Sequence, residues 1–292
     1  MDALTGGGER FAVLLALLAA VCFGAALVVG QCGLRHASPL AGGTVSVTST
    51  VVAWLAISPA FLDLSGRDAG ALALFAGVGI FYPAIVMVLT YESNRRLGPT
   101  LTGAAASTSP LFAAAAAVIG LGERLSYASV VGGGITVLGL ALLALRSPMR
   151  AAPGWCLLLP LSGAALRGLA QTLIKLGLVL WPSPFGAALV CYLASAAVMW
   201  GAGLRAPGRM PRYTRAGIAW FVAVGFLNGS AVLLSYHALK HGTVAVVSTV
   251  VATYPLFTML FSAAFLRSET LTPRTLTALA LVIAGVATVV KA

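Results

Sequence analysis

Long apolar runs, each close to the twenty or so residues that a helix needs to cross a bilayer, fill this chain and alternate with short polar breaks. They fall at 11–30, 40–62, 70–91, 99–120, 128–145, 153–180, 185–204, 215–237, 243–266 and 274–290. The breaks carry helix-stopping residues: Arg35 to Pro39, Asp63 to Asp68, Glu92 to Pro99, Gly122 to Ser126, Ser147 to Pro153, Pro182 to Pro184, Arg205 to Arg215, Lys240 to Gly242 and Arg267 to Pro273. The pattern predicts an all-α integral membrane protein of ten transmembrane helices, with no stretch long enough for a separate soluble domain. The first run, from Phe11 to Gly30, is long and many spans follow it, so it reads as a transmembrane helix and not as a signal peptide.

The chain also repeats itself. A shift of 145 residues lays Tyr91 on Tyr236, Thr108 on Thr253, and Pro110, Leu111 and Phe112 on Pro255, Leu256 and Phe257. One more residue brings Glu123 onto Glu269, Leu125 onto Leu271 and Gly139 onto Gly285. Earlier in each half, Gly24, Gln31 and Gly33 fall on Gly168, Lys175 and Gly177, and Ser38-Pro39 on Ser183-Pro184. Two five-helix units result, 11–146 and 153–290. Five is odd, so the second unit must enter the membrane from the opposite side. Such inverted repeats are typical of secondary transporters, whose sites lie near the midplane between the halves.

Composition agrees with the pattern: 60% hydrophobic, 9% charged, mean hydropathy +1.00. These values exclude a soluble domain. The net charge of +11 sits mostly as single residues between apolar runs, which fits connecting loops and argues against nucleic-acid binding. Cys22, Cys32, Cys156 and Cys191 have no metal or redox spacing and read as small apolar residues.

The polar residues inside the runs are the candidates for chemistry. In the segment Pro160 to Trp181, Arg167, Gln171 and Lys175 lie four residues apart with Gly163 one turn before, forming one stripe on an otherwise apolar helix. Arg167 falls mid-run, roughly 15 to 20 Å from either interface at about 1.5 Å per residue, beyond an arginine's reach. It is therefore expected to face a cavity or an internal partner. Lys175, six residues before Trp181, is expected to snorkel to the headgroups.

With T-S-P-L-F then G-E-R-L-S in one half, and T-Y-P-L-F then S-E-T-L-T in the other, the ten-span duplicated chain resembles the EamA-type branch of the drug/metabolite transporter superfamily. The likeness runs from Phe11 to Val290. It implies helices one to four and six to nine around a central cavity, with five and ten outside as supports. Members carry amino acids, metabolites, nucleotide sugars, phosphorylated sugars or cationic drugs, so the likeness does not name a substrate. It also implies termini inside. Basic residues after odd-numbered helices (Arg35, Arg95, Arg96, Arg146, Arg150, Arg205, Arg209, Arg212, Arg215, Arg267, Arg274) outnumber Arg10, Arg67, Arg124, Lys240 and Lys291, which on its own puts both termini outside. The sidedness stays open.

Pro110 and Pro255, with Ser107, Thr108, Ser109, Thr253 and Tyr254 beside them, are expected to bend helices toward the cavity or to form structural kinks, and Pro83 after Tyr82 likewise. Asn228, on a stripe with Gly225, Val232 and Ser235, serves either as a substrate ligand or as interhelical glue. Glu92 and His237 occupy equivalent positions near helix ends and could titrate, but Glu92 has Arg95 and Arg96 within pairing distance on a helix. Glu123 and Glu269 suit turn and cap chemistry. No Asp or Glu lies inside any span. A proton-coupled carrier of cationic drugs would need one, so that reading loses most of its support.

The resulting expectation is a secondary transporter working by alternating access, most plausibly an amino-acid exporter of the bacterial inner membrane, monomer or homodimer, needing no cofactor or metal. Substrate would meet Arg167, Gln31, Gln171, Asn228, Tyr82 and Tyr254. One alternative is exchange of phosphorylated metabolites or other organic anions, with Lys175 as a second cation. An intramembrane enzyme would need a cluster of nucleophiles, acids or ligands that His36, His237 and His241 do not make.

Overall fold

A computed structural model of the chain describes residues 2–106, 108–123, 126–144, 154–204, 214–266 and 273–290. Over the described residues it is helical and has no strand. Ser107, Arg124, Leu125, Arg146, Arg150, Arg205, Arg209, Arg212, Arg267, Glu269, Leu271 and Lys291 lie outside them. The first half holds α1 (Asp2–Gly33), α2 (Pro39–Phe61), α3 (Ala69–Phe81), α4 (Ala84–Leu97), α5 (Pro99–Ala106), α6 (Ser109–Leu121) and α7 (Tyr127–Ala144). The second holds α8 (Leu158–Leu180), α9 (Pro184–Leu204), α10 (Arg215–His241), α11 (Val244–Val251), α12 (Tyr254–Phe261) and α13 (Pro273–Val290). Seven stretches of described helix are long and apolar enough to span a membrane, and three shorter apolar helices accompany them.

Local chemistry sets the helix starts. Ser38 accepts the Ala41 N–H with Pro39 in the first turn, and Asp68, Thr214 and Thr243 accept the N–H groups of Ala71, Gly217 and Val246. Three of the expected runs are broken. Pro110 and Pro255 open the first turns of α6 and α12 instead of bending a continuous helix. A proline costs nothing there, because the first-turn N–H groups have no partner inside the helix. Beside each break a threonine serves the preceding turn: Thr108 Oγ1 donates to Ala105 O at 3.0 Å and Thr253 Oγ1 to Val250 O at 2.7 Å. The third break lies at the cis Tyr82-Pro83 bond between α3 and α4, where Ser195 Oγ takes the Gly79 carbonyl at 2.5 Å.

The two halves pack as counterparts. A Cβ on Gly24 would meet Phe257 Cβ at 2.7 Å and Thr258 N at 2.9 Å; a Cβ on Gly168 would meet Phe112 Cβ at 2.8 Å and Ala113 N at 2.6 Å. Each glycine thus lets its helix, α1 or α8, ride on the broken helix of the other half, α12 or α6. Likewise Ser46 Oγ donates to Phe221 O at 3.0 Å where Cys191 Sγ donates to Phe75 O at 3.1 Å, and Thr50 Oγ1 reaches Gly225 O at 2.8 Å where Ser195 reaches Gly79 O. α7 and α13 lie against each other, with Gly132 and Gly285 so close that a Cβ on either would stand 2.6 Å from the other's carbonyl oxygen. Phe11, Val52, Ile80, Ile119, Val179 and Phe226 are exposed, as lipid-facing residues are.

Candidate functional site

Between the halves lies a cavity of about 40 Å³, room for roughly three waters. Phe23 and Leu27 come from α1, Tyr82 and Pro83 from the α3–α4 break, Met87, Thr90 and Tyr91 from α4, Arg167 from α8, Tyr192 from α9, Asn228 and Val232 from α10, and Tyr254 from the start of α12. The helix breaks put Tyr82 and Tyr254 there, since each is the residue at which a helix stops or restarts.

Arg167 is the cavity's charge. It is 8% exposed, its Nη1 donates to Tyr254 Oη at 3.4 Å, and its guanidinium carbon lies 5.8 Å from the Phe23 ring centre and 5.7 Å from that of Tyr254. These rings stabilise a cation through their π faces. Its Nε is buried with no partner, and no carboxylate pairs with it among the described residues, where both ion pairs belong to Glu92. An uncompensated buried cation is costly, and an anion with two oxygens is the group its planar fork fits best.

The lining also carries amide and hydroxyl groups. Asn228 Nδ2 donates to Tyr91 Oη at 3.4 Å, Tyr91 Oη is 3.3 Å from Ser46 Oγ, and Ser46 donates to Phe221 O. Thr90 is spent on its own helix, donating to Val86 O at 2.7 Å. Tyr192 Oη is buried without a partner, and its ring lies 4.7 Å from that of Trp54.

Of the residues expected from sequence, Arg167, Asn228, Tyr82, Tyr254 and Pro83 meet at this cavity. Gln31 and Gln171 stand outside its lining, each with a buried, unpartnered Oε1. Pro110 and Pro255 also stand outside it, and His237 is half-buried in the last turns of α10. Glu92 pairs with Arg95, at 3.0 and 2.6 Å, and with Arg96. Lys175, expected to reach for the headgroups, has its Nζ donating to Leu239 O at 2.6 Å and Gly242 O at 2.9 Å, at the turn that follows α10. Those carbonyls end α10 and have no helical partner, which makes them a better anchor than water for a nearby ammonium. Sequence reasoning missed Phe23, Tyr91 and Tyr192 as lining. Tyr91 was visible as a repeat-register tyrosine, whereas nothing distinguishes Phe23 or Tyr192 from core aromatics.

A sequence model of the EamA-like transporter family matches residues 10–145 and again 154–291. Solved structures are similar as well. One crystal structure of another protein superposes over 95% of both chains with a TM-score of 0.77 at 18% identity, a likeness of fold alone. No curated protein matches.

Proposed function

The chain belongs to the EamA-like transporter family and is an integral membrane transporter, and we propose that its cargo is a small carboxylate-bearing metabolite, foremost an amino acid exported across a bacterial cytoplasmic membrane. In this reading α3 with α4, α5 with α6, and α11 with α12 each form one broken span, giving ten spans in two halves of five that enter the membrane from opposite sides. Alternating access would rock one half against the other about the cavity. The observation that carries the reading is Arg167, a buried cation on the cavity wall whose fork has one hydroxyl for a partner and no carboxylate among the described residues.

The alternative, a phosphorylated metabolite, asks for two cations on the ligand. Lys175 is committed to the Leu239 and Gly242 carbonyls, which leaves Arg167 as the cavity's cation among the described lining residues. One guanidinium suits one carboxylate.

Counterflow into proteoliposomes tests this, with labelled amino acids in one arm and sugar phosphates in the other. Amino-acid flux is expected, falling at least about thirtyfold in Arg167→Gln, as loss of a paired charge-assisted contact implies. Undiminished flux through a folded, monodisperse Arg167→Gln protein would remove the arginine from the site.

A further inference from the structure

The hydrogen bonds around Asn228 fix which way its amide points. A carbonyl can only accept, so the single proton of Ser46 Oγ is spent on Phe221 O, 3.0 Å away. The 3.3 Å contact between Ser46 and Tyr91 must then use the Tyr91 proton, with Tyr91 donating to Ser46. Tyr91 Oη, its proton gone, can only accept from its third neighbour, and Asn228 must present Nδ2 to it, at 3.4 Å. No other assignment satisfies all three contacts. Tyr91 is itself 2% exposed and Ser46 fully buried, so the protein contacts set this assignment. Asn228 Oδ1 is thereby turned away from Tyr91, the amide's polar partner among the described residues, on a half-buried residue that lines the cavity.

We propose that Asn228 Oδ1 is the acceptor for a donor group on the substrate, and that Tyr91 and Ser46 are positioning residues that lock this amide with its oxygen toward the cavity. The inference rests on the reading of Arg167 as the carboxylate ligand and narrows it. A wall that offers a cation at one place and a fixed neutral acceptor at another suits a carboxylate that also carries an ammonium. It leaves a simple monocarboxylate with the acceptor unmatched, and it turns a second anionic group against a lone pair. Asn228 brings the amide carbonyl among the described lining residues, an acceptor that carries no proton of its own, unlike the lining hydroxyls.

The test compares amino acids with their deaminated twins. Binding of L-leucine against 4-methylpentanoate, and of L-phenylalanine against 3-phenylpropanoate, would be measured by thermal shift and competition on the full chain in detergent micelles. The wild type is expected to prefer the amino acid in each pair by about tenfold, the size of one charge-assisted hydrogen bond. Asn228→Leu, close in volume, should erase the preference by weakening the amino acid alone. Asn228→Asp, which keeps an acceptor on the cavity, should retain it, and Tyr91→Phe should reduce it several-fold by freeing the amide to turn. Arg167→Gln should weaken both members of each pair alike. Equal weakening of both twins by Asn228→Leu, an unaltered preference in that variant, or a wild type that favours the deaminated acids would overturn the role of Asn228 while leaving Arg167 in place. Indifference of both twins to Arg167→Gln, or no binding of any of the four compounds to the wild type, would instead overturn the carboxylate reading and this inference with it.

Discussion

Lys175 and Glu123 hold the two sides of one tight turn. Lys175 Nζ donates to the Leu239 and Gly242 carbonyls at the end of α10, while Glu123 Oε1 accepts the Val244 N–H at the start of α11, at 3.1 Å. The cation thus sits on orphan carbonyls at the negative end of one helix, and the carboxylate on an orphan amide at the positive end of the next. Glu123 follows α6, so the contact ties the first half to the second. At the corresponding place in the other half the repeat puts Gln31 for Lys175, and Pro99, which has no N–H, for Val244. Gln31 carries no charge and Pro99 no N–H, so the sequence does not repeat the chemistry of this clasp in the other half.

Breaking the clasp should therefore destabilise the protein in a graded way. Lys175→Met keeps the apolar stem and removes two charge-assisted bonds, for an expected loss of about 1–3 kcal/mol. Glu123→Gln keeps an acceptor oxygen and should cost less. Thermal unfolding in micelles would rank the two, and a Lys175→Met protein as stable as the wild type would show the ammonium to be dispensable.

Gly24 and Gly168 should tolerate no side chain. Beside the Phe257 and Phe112 Cβ atoms, a Cβ would meet backbone: Thr258 N and Tyr254 O at 2.9 Å for Gly24, Ala113 N at 2.6 Å and Ser109 O at 2.9 Å for Gly168. Alanine at either position has to push two helices apart, costing about 1–3 kcal/mol or more. A Cβ on Gly77 of α3 would meet nothing within 4 Å, and alanine there should gain up to about 1 kcal/mol in helix propensity. Urea or heat denaturation of the three single variants checks the contrast.

These glycines also show how far the sequence could be read. Gly24 and Gly168, and Gly33 and Gly177, were visible as a repeat because small residues recur in register, and the apolar runs marked nearly every helix. The interruptions were harder to read. Pro83, Pro110 and Pro255 announced a disturbance, but whether a proline bends a helix or begins a new one depends on whether a threonine or serine nearby can take the freed carbonyl. Ser195, which takes the Gly79 carbonyl, lies more than a hundred residues from it. For the site, Arg167 stood out because charge inside a span is expensive. For Lys175 the sequence shows a cation near a helix end, whereas the carbonyls it meets at the end of α10 emerge only from the packing. Phe23 and Tyr192 carried no signal, since an aromatic facing a cavity and one facing the core look alike until the helices are packed.

Because Ser46 and Cys191 do the same work, donating to Phe221 O and Phe75 O from matching positions, Cys191→Ser should be accepted. The serine proton finds the same carbonyl, so thermal stability should change by no more than about 1 kcal/mol. Cys191→Ala, which leaves the Phe75 carbonyl without this donor, should be the less stable of the two.

Glu92, its side chain 19% exposed, should prove a pairing group near the end of α4 without a part in transport. Its partners are outside the core, with the Arg95 side chain 54% exposed and that of Arg96 37%, and exposed ion pairs contribute little. Glu92→Gln is expected to leave Tm within about 2 °C and the pH profile of flux unchanged. A profile displaced in this variant would make Glu92 a titrating element of the cycle.

Arg167→Lys separates charge from shape at the cavity. Lysine keeps the positive charge but gives up the planar fork that lies near the Phe23 and Tyr254 rings and can hold two oxygens at once. If the carboxylate is gripped by two parallel bonds, the ammonium recovers part of the interaction only. Flux in proteoliposomes should then fall by about tenfold, between the wild type and Arg167→Gln. Wild-type rates in the lysine variant would mean that field alone recruits the substrate, with its orientation set elsewhere on the wall. Rates as low as those of the glutamine variant would mean that the fork geometry is indispensable.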